Sequence, residues 1–80
     1  MVVGVLNLKI IIREARSLKD KRRIISSIKD RLKGKFNVSV AEVDQQEICQ
    51  TASLGIAQVS SDTRYIRSSL ERAVDLVRTF

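Results

Sequence analysis

The first apolar run of the chain alternates in a way that predicts a β-strand over residues 2 to about 13, VVGVLNLKIIIR. Aliphatic residues occupy alternate positions at Leu6, Leu8, Ile10 and Ile12. Because successive strand residues point to opposite faces, these four share one fully apolar face. The other face mixes polar and apolar residues, namely Val3, Val5, Asn7, Lys9, Ile11 and Arg13.

The segment that follows has the signals of a helix start. Ser17 and Asp20 stand three residues apart and have the form of a capping box. Apolar residues then recur at helical spacing at Leu18, Ile24, Ile25, Ile28 and Leu32. We therefore predict a helix that begins after Ser17 and is capped at its C-terminal end by Gly34.

The second half of the chain predicts a β-hairpin and a further helix. The hairpin spans residues 36 to 59, with strands FNVSVAEVD and TASLGIAQV. A change of phase near Ala41 and Val43 suggests either a β-bulge in the first strand or the emergence of that strand from the sheet. Ser61 or Asp62 can cap the last helix. The apolar stripe of that helix consists of Ile66, Leu70, Ala73, Val74 and Val77.

The element order β-α-β-β-α predicts one α+β domain over residues 1 to 80. The order is that of a ferredoxin-like split β-α-β fold with a right-handed crossover from strand one to its parallel neighbour, and with both helices on one face of an antiparallel or mixed sheet. The usual last strand, which pairs with strand one, is missing from this order. We therefore expect a homo-oligomer joined through the first-strand edge or the open sheet face. The expected interface residues are Val3, Val5, Lys9 and Ile11.

Composition argues against several classes of function. The chain has no His and one cysteine, Cys49, which excludes an internal disulfide and the usual zinc sites. The lack of His also removes the commonest general base, so we expect no enzymatic activity and no cofactor. No apolar run is long enough for a membrane span, and the start MVVGVLNLKIII lacks the features of a signal peptide. These features predict a cytoplasmic protein with no membrane partner.

Charge is concentrated in the first half of the chain. The net charge is +6, yet residues 1 to 35 alone carry eleven Lys or Arg against three acids, a net +8. A field of that sign attracts polyanions. The candidate anion or nucleic-acid site lies between strand one and the start of helix one and comprises Arg13, Arg16, Ser17, Lys19, Lys21, Arg22 and Arg23.

Other interpretations of this basic segment stay open. The segment can be a solvated helix face whose charges pair with Glu14, Asp20 or Asp30, or a site for a small phosphate compound at the helix N-terminus. If the partner is RNA or a ribosomal particle, recognition should rely on phosphates and shape. The three aromatic residues, Phe36, Tyr65 and Phe80, are not expected on the central strands, where they would stack on bases.

The hairpin carries a second, weaker candidate. Alternation places Glu42 and Asp44 on one side of a strand, with Glu47 nearby, so two carboxylates could share a proton or bind a hard cation. A polar strand end is the more economical interpretation, since no third ligand has an obvious position. The acidic hairpin could also pair with the basic helix of another copy. Cys49 has no His beside it and is expected to be a half-buried structural residue.

Three segments, ARSLKDKRR, FNVSVAEVDQQE and QTASLGIAQVSSD, resemble the YlxP-like family of small bacterial proteins. The resemblance covers nearly the whole chain. It implies a ferredoxin-like fold, a cytoplasmic setting and genes near those for transcription elongation, translation initiation and ribosome maturation; it implies no reaction. Family members are typically longer and continue into a last strand, and they commonly have an aromatic residue at the position of Cys49.

An enzymatic alternative comes from the acylphosphatases, which share this topology and bind phosphate in the loop between strand one and helix one. Arg16 and Ser17 would occupy a comparable region. The glycine-rich loop of those enzymes is missing, because the flanking residues in REARS offer no glycine. We therefore predict a non-enzymatic protein, either bound to RNA or a ribosomal particle or acting as a structural or regulatory homo-oligomer.

Overall fold

A computed structural model describes residues 1–80 as a three-stranded sheet with two helices packed on one of its faces. In chain order the elements are β1 (Val2–Ile11), α1 (Leu18–Lys35), β2 (Ser39–Asp44), β3 (Thr51–Ser60) and α2 (Thr63–Val77). The predicted α+β class and the order β-α-β-β-α are confirmed. Neither helix has the length and apolar character that crossing a membrane requires.

All strand pairs in the sheet are antiparallel. The spatial order is β1-β3-β2, and β1 pairs with β3 from Val2 opposite Ser60 to Ile11 opposite Thr51. The expectation that strand one lies beside its parallel neighbour is wrong, because β3 lies between β1 and β2. The physical reason is that β2 and β3 form a hairpin, and the free side of β3 then pairs with β1.

The core lies between β3 and the helices. Alternate residues of β3, Ala52, Leu54 and Ile56, are almost fully buried beneath α1 and α2. The predicted apolar face of β1 is confirmed: Leu6, Leu8 and Ile10 pack against this core from the side, and Ile12 is buried within it. From the helices, the buried residues of the core are Ile25, Ile28, Leu32 and Ala73.

Both helix starts are capped as their sequences predict. The Ser17 hydroxyl accepts a hydrogen bond from the Asp20 N–H at 3.1 Å, and the Asp62 carboxylate accepts one from the Arg64 N–H at 2.9 Å. The predicted cap at Gly34 is wrong. The helix runs through Gly34 to Lys35 and ends at Phe36 in an extended conformation, so no left-handed residue is needed there.

A β-bulge interrupts β2 near its end. The register against β3 shifts between Glu42, which lies opposite Leu54, and Asp44, which lies opposite Ser53. Leu54 and Ser53 point to opposite faces of β3, so Glu42 faces the helices and Asp44 belongs to the open face. This confirms the predicted bulge and contradicts the expectation that the two carboxylates share one side.

The face of the sheet that carries no helix is largely aliphatic. The large hydrophobic residues exposed on it are Val3, Val5, Ile11, Val43 and Val59. β1 also has no neighbouring strand on its outer side. The molecule therefore presents two unpaired features, an apolar sheet face and a free strand edge.

Candidate functional site

The loop between β1 and α1 holds its arginines outward because two apolar residues anchor it. Ile12 and Ala15 are buried, and the Ile12 N–H donates to the Gln50 carbonyl at 2.8 Å, which continues the ladder between β1 and β3. The intervening side chains must then point away from the core. Arg13 and Arg16 are accordingly exposed.

The start of α1 adds three more cations to the same region. The helix buries one stripe, so the residues between its buried positions face solvent. Lys19, Arg22 and Arg23 are all exposed. Together with the two loop arginines they form what we call the exposed basic surface, which consists of Arg13, Arg16, Lys19, Arg22 and Arg23.

No carboxylate neutralises the exposed basic surface. The two ion pairs in the structure are Lys21 with Glu42 and Arg78 with Asp75, so none of the five cations takes part in one. The Asp20 carboxylate instead accepts a hydrogen bond from the Arg16 backbone N–H at 3.2 Å. The alternative in which Glu14, Asp20 and Asp30 pair with these cations is not what the structure shows.

Lys21 does not belong to the predicted anion site. Only 1% of it is exposed, and its ammonium nitrogen lies 2.7 Å from Glu42 Oε2. The same nitrogen donates to the carbonyls of Gln45 and Ile48, each at 2.6 Å. The expectation that Lys21 faces solvent is wrong, because all three of its N–H donors are directed into the protein.

The Lys21 ammonium instead holds the loop between β2 and β3. The two carbonyls that it binds come from the turn after the bulge, where Gln45 has a positive φ of 59°. A sequence signal for this role exists, since Lys21 lies three residues after Leu18 and four before Ile25, on the apolar stripe of α1. We therefore count Lys21 and Glu42 as an internal clamp between α1 and the hairpin.

The N-terminus of α1 is less open to an external anion than its sequence suggests. Ser17 is exposed, but its hydroxyl oxygen already caps the Asp20 N–H. The Asp20 carboxylate also lies at this end of the helix, where negative charge offsets the helix dipole. Ser17 is therefore a capping residue of α1. The argument for an anionic ligand depends on the exposed cations around it.

The hairpin carboxylates are dispersed. Glu42 is paired with Lys21, while Asp44 is exposed and its carboxylate accepts the Gln45 N–H at 2.8 Å. The structure contains no cluster of three or more His, Cys, Asp or Glu side chains placed to hold a metal ion. Cys49 is half-buried, as predicted, with its sulfur 3.9 Å from the Ala15 carbonyl oxygen.

The expected interface residues lie together on the open face of β1. Val3, Val5, Lys9 and Ile11 are all exposed, with Val5 reaching 75%. The aromatic residues lie elsewhere: Phe36 follows α1, Tyr65 belongs to α2, and Phe80 packs under the Arg31 guanidinium at 5.4 Å. None of the three is on the sheet.

Comparison with known proteins identifies a family. The sequence profile of DUF503, described as a protein of unknown function, matches residues 3–80. The chain is also 37% identical over 79 residues to a protein of Bacillus subtilis (strain 168) described as "Uncharacterized protein YlxP"; the match covers 99% of this chain and 86% of the relative. The chain therefore belongs to the DUF503 family, and its similarity to YlxP agrees with the YlxP-like resemblance of its sequence.

Proposed function

We propose that this protein is a non-enzymatic, RNA- or ribosome-associated protein that contacts phosphates through the exposed basic surface. The observation that carries the proposal is that five cations lie close in sequence on one loop and the start of one helix, all exposed and all without a carboxylate partner. The ligand that complements such a surface is a polyanion.

The arrangement is electrostatically unfavourable for the free protein. Cations near a helix N-terminus oppose the helix dipole by about 0.3–1 kcal/mol each, and neighbouring cations repel one another. Lys19 lies in the first turn of α1, where the dipole acts, and Arg22 and Arg23 follow in the second turn, where the cost is repulsion between neighbouring cations. Bound phosphates would relieve both costs, and the release of counterions would add a favourable entropy.

The expected mode of recognition is contact with phosphates and shape, without base stacking. Domains that stack RNA bases on a sheet use aromatic side chains there. The open face of this sheet carries aliphatic residues such as Val3, Val5 and Val59 instead. We therefore expect weak dependence on base sequence and strong dependence on ionic strength.

A ferredoxin-like fold is part of the same proposal. It is supported by the order β1-β3-β2, by the antiparallel pairing and by two helices on one face. In this fold the loop after β1 and the start of α1 lie at the same end of the sheet, so the cations of the two segments are close together. A cytoplasmic location, where RNA and ribosomes are found, is the setting that this function requires.

The test compares two charge reversals of equal size on the same helix. Arg22→Glu with Arg23→Glu alters the exposed basic surface, whereas Lys33→Glu with Lys35→Glu alters exposed cations at the opposite end of α1. Binding to a fluorescent single-stranded RNA is measured by anisotropy after both variants are shown to be folded by circular dichroism. We expect the first pair to weaken binding at least tenfold and the second less than threefold. Equal losses would contradict the proposed site.

The same variants address the competing function, a structural or regulatory homo-oligomer without a nucleic-acid ligand. If the basic surface pairs with the acidic hairpin of another copy, reversal at Arg22 and Arg23 should change the molar mass in light scattering. Under our proposal the mass is unchanged and only RNA binding falls. The clamp already engages Glu42, which leaves Asp44 and Glu47 as the exposed acids of that hairpin.

A further inference from the structure

The open face of the sheet, which carries no helix, has small residues along its middle and larger aliphatic residues around them. β3 is the central strand and presents Ser53, Gly55 and Ala57 on this face. The larger residues of the face, each at least half exposed, are Val3, Val5, Ile11, Val43 and Val59. Val43 leans over the centre, because a Cβ on Gly55 would lie 2.9 Å from Val43 Cγ1.

The open face has the size of a weak interface. Two strands of ten residues and one of six, about 4.8 Å apart and rising about 3.3 Å per residue, give roughly 400 Å². Exposed apolar patches of this size are often functional. Two such faces in contact would bury about 800 Å² in all, which is in the size class of weak and transient association.

Two charged residues of opposite sign interrupt the open face. Lys9 on β1 and Asp44 on β2 both lie opposite Ser53, so they belong to the same row across the sheet. Both are exposed, and neither takes part in an ion pair. Asp44 Oδ1 accepts the Gln45 N–H, and Oδ2 has no hydrogen bond. Each charge therefore lacks an opposite charge to pair with inside its own chain.

We propose that the open face packs against the same face of a second copy, about a twofold axis parallel to β3. Such an axis stacks β3 on β3 and β1 on β2 of the second copy, and it keeps each row at its own level. Lys9 of each copy then lies above Asp44 of the other, so one dimer has two ion pairs. A twofold axis across the strands stacks β1 on β1 and brings no opposite charges together.

Side-chain sizes fit the same axis. In one row of the open face β1 contributes Val5 and β2 contributes Ser39, and in the next row they contribute Asn7 and Ala41. The proposed axis sets each larger side chain of β1 above a smaller one of β2. The residues of β3 on the axis are small, so the two sheets can approach to about 10 Å, the usual spacing of stacked sheets.

The proposed interface is separate from the exposed basic surface. The helices pack on the other face of the sheet, so α1 and its cations take no part in the contact between copies. A further strand beside β1 would lie in the plane of the sheet and would also leave the open face uncovered. Dimer formation and RNA binding can therefore succeed or fail independently.

Sedimentation equilibrium tests whether the dimer forms. The protein is purified with nuclease at high salt, so that RNA cannot join the copies, and is examined from about 10 μM to about 1 mM. The mass should rise from the 9.0 kDa of the monomer toward twice that value. Val5→Asn makes the open face more polar and should stay monomeric. Tyr65→Asn changes a half-exposed residue of α2 and should dimerise like the unmodified protein. A monomeric mass of the unmodified protein throughout would overturn the proposal.

Charge exchange tests the register of the dimer. Lys9→Glu and Asp44→Lys, each alone, set like charges against each other twice in a dimer, and we expect each to weaken dimerisation about tenfold or more. An equimolar mixture of the two variants should recover dimerisation, because the mixed dimer has two pairs of opposite charge. Damage within a single chain would not be repaired by mixing. Lys33→Glu makes the same change of charge on α1 and should have no effect. No recovery in the mixture, or an equal loss in Lys33→Glu, would refute this register.

Discussion

The ammonium nitrogen of Lys21 lies 2.7 Å from Glu42 Oε2, across the contact between α1 and β2. Lys21 is the first of three consecutive basic residues near the start of α1, yet it is the one that turns inward. Its neighbours Arg22 and Arg23 are exposed. One buried charge thus supports the hairpin, while the adjacent charges remain available to a ligand.

Removing the buried ammonium should destabilise the fold. Lys21→Met leaves Glu42 and the carbonyls of Gln45 and Ile48 without their donor. Breaking one side of a buried ion pair costs about 3–5 kcal/mol, so we expect a lower free energy of unfolding in urea by that amount. Arg22→Met is the matched control on the exposed side of the helix and should change the free energy of unfolding by less than about 0.5 kcal/mol. Equal effects would contradict the clamp.

The cap at the start of α1 should affect stability and leave ligand binding unchanged. Ser17→Ala removes the oxygen that accepts the Asp20 N–H, and loss of such a cap costs about 0.5–2 kcal/mol. Ser17→Asp keeps an acceptor at this position and should retain most of the stability. RNA affinity of Ser17→Ala, measured well below its melting temperature, should match that of the unmodified protein. A tenfold loss would assign the hydroxyl to the ligand.

Two glycines should respond to alanine in opposite directions. At Gly4 a Cβ collides with Ile66 in α2, so Gly4→Ala should lower the free energy of unfolding by about 1–3 kcal/mol. At Gly34 a Cβ meets nothing within 4 Å and the residue is helical, so Gly34→Ala should raise the free energy of unfolding by about 0.5–1 kcal/mol. Urea denaturation of both variants decides this, and a loss of stability at Gly34 would contradict the helix end described above.

Most of the architecture could be predicted because local patterns specify it. The alternation of Leu6, Leu8 and Ile10, and the caps at Ser17 and Asp62, depend on neighbours within a few residues. The position of β3 between β1 and β2 depends on pairing between distant segments. The predicted C-cap at Gly34 is wrong, since α1 continues to Lys35 and ends at Phe36. Glycine is only one of several ways to end a helix.

The candidate site could be predicted only in part. Counting charges correctly located the basic region but could not separate Lys21 from Arg22, since that distinction depends on which residues of α1 face β2. The spacing from Leu18 to Ile25 contained the necessary signal. The bulge after Glu42 had a similar effect, because a one-residue shift decided that this carboxylate meets Lys21 and Asp44 does not.

The salt dependence of RNA binding tests the central claim most directly. With Lys21 buried, five cations remain, and each phosphate contact contributes about −0.7 to the log–log slope for a single strand, which predicts a slope of about −3.5. Anisotropy titrations over a sixfold range, from about 50 to about 300 mM KCl, measure this slope for the unmodified protein and for a variant with all five cations replaced by Gln. We expect about −3.5 for the first and a slope near zero for the second. A flat slope for the unmodified protein, or the same slope for both, would contradict the account.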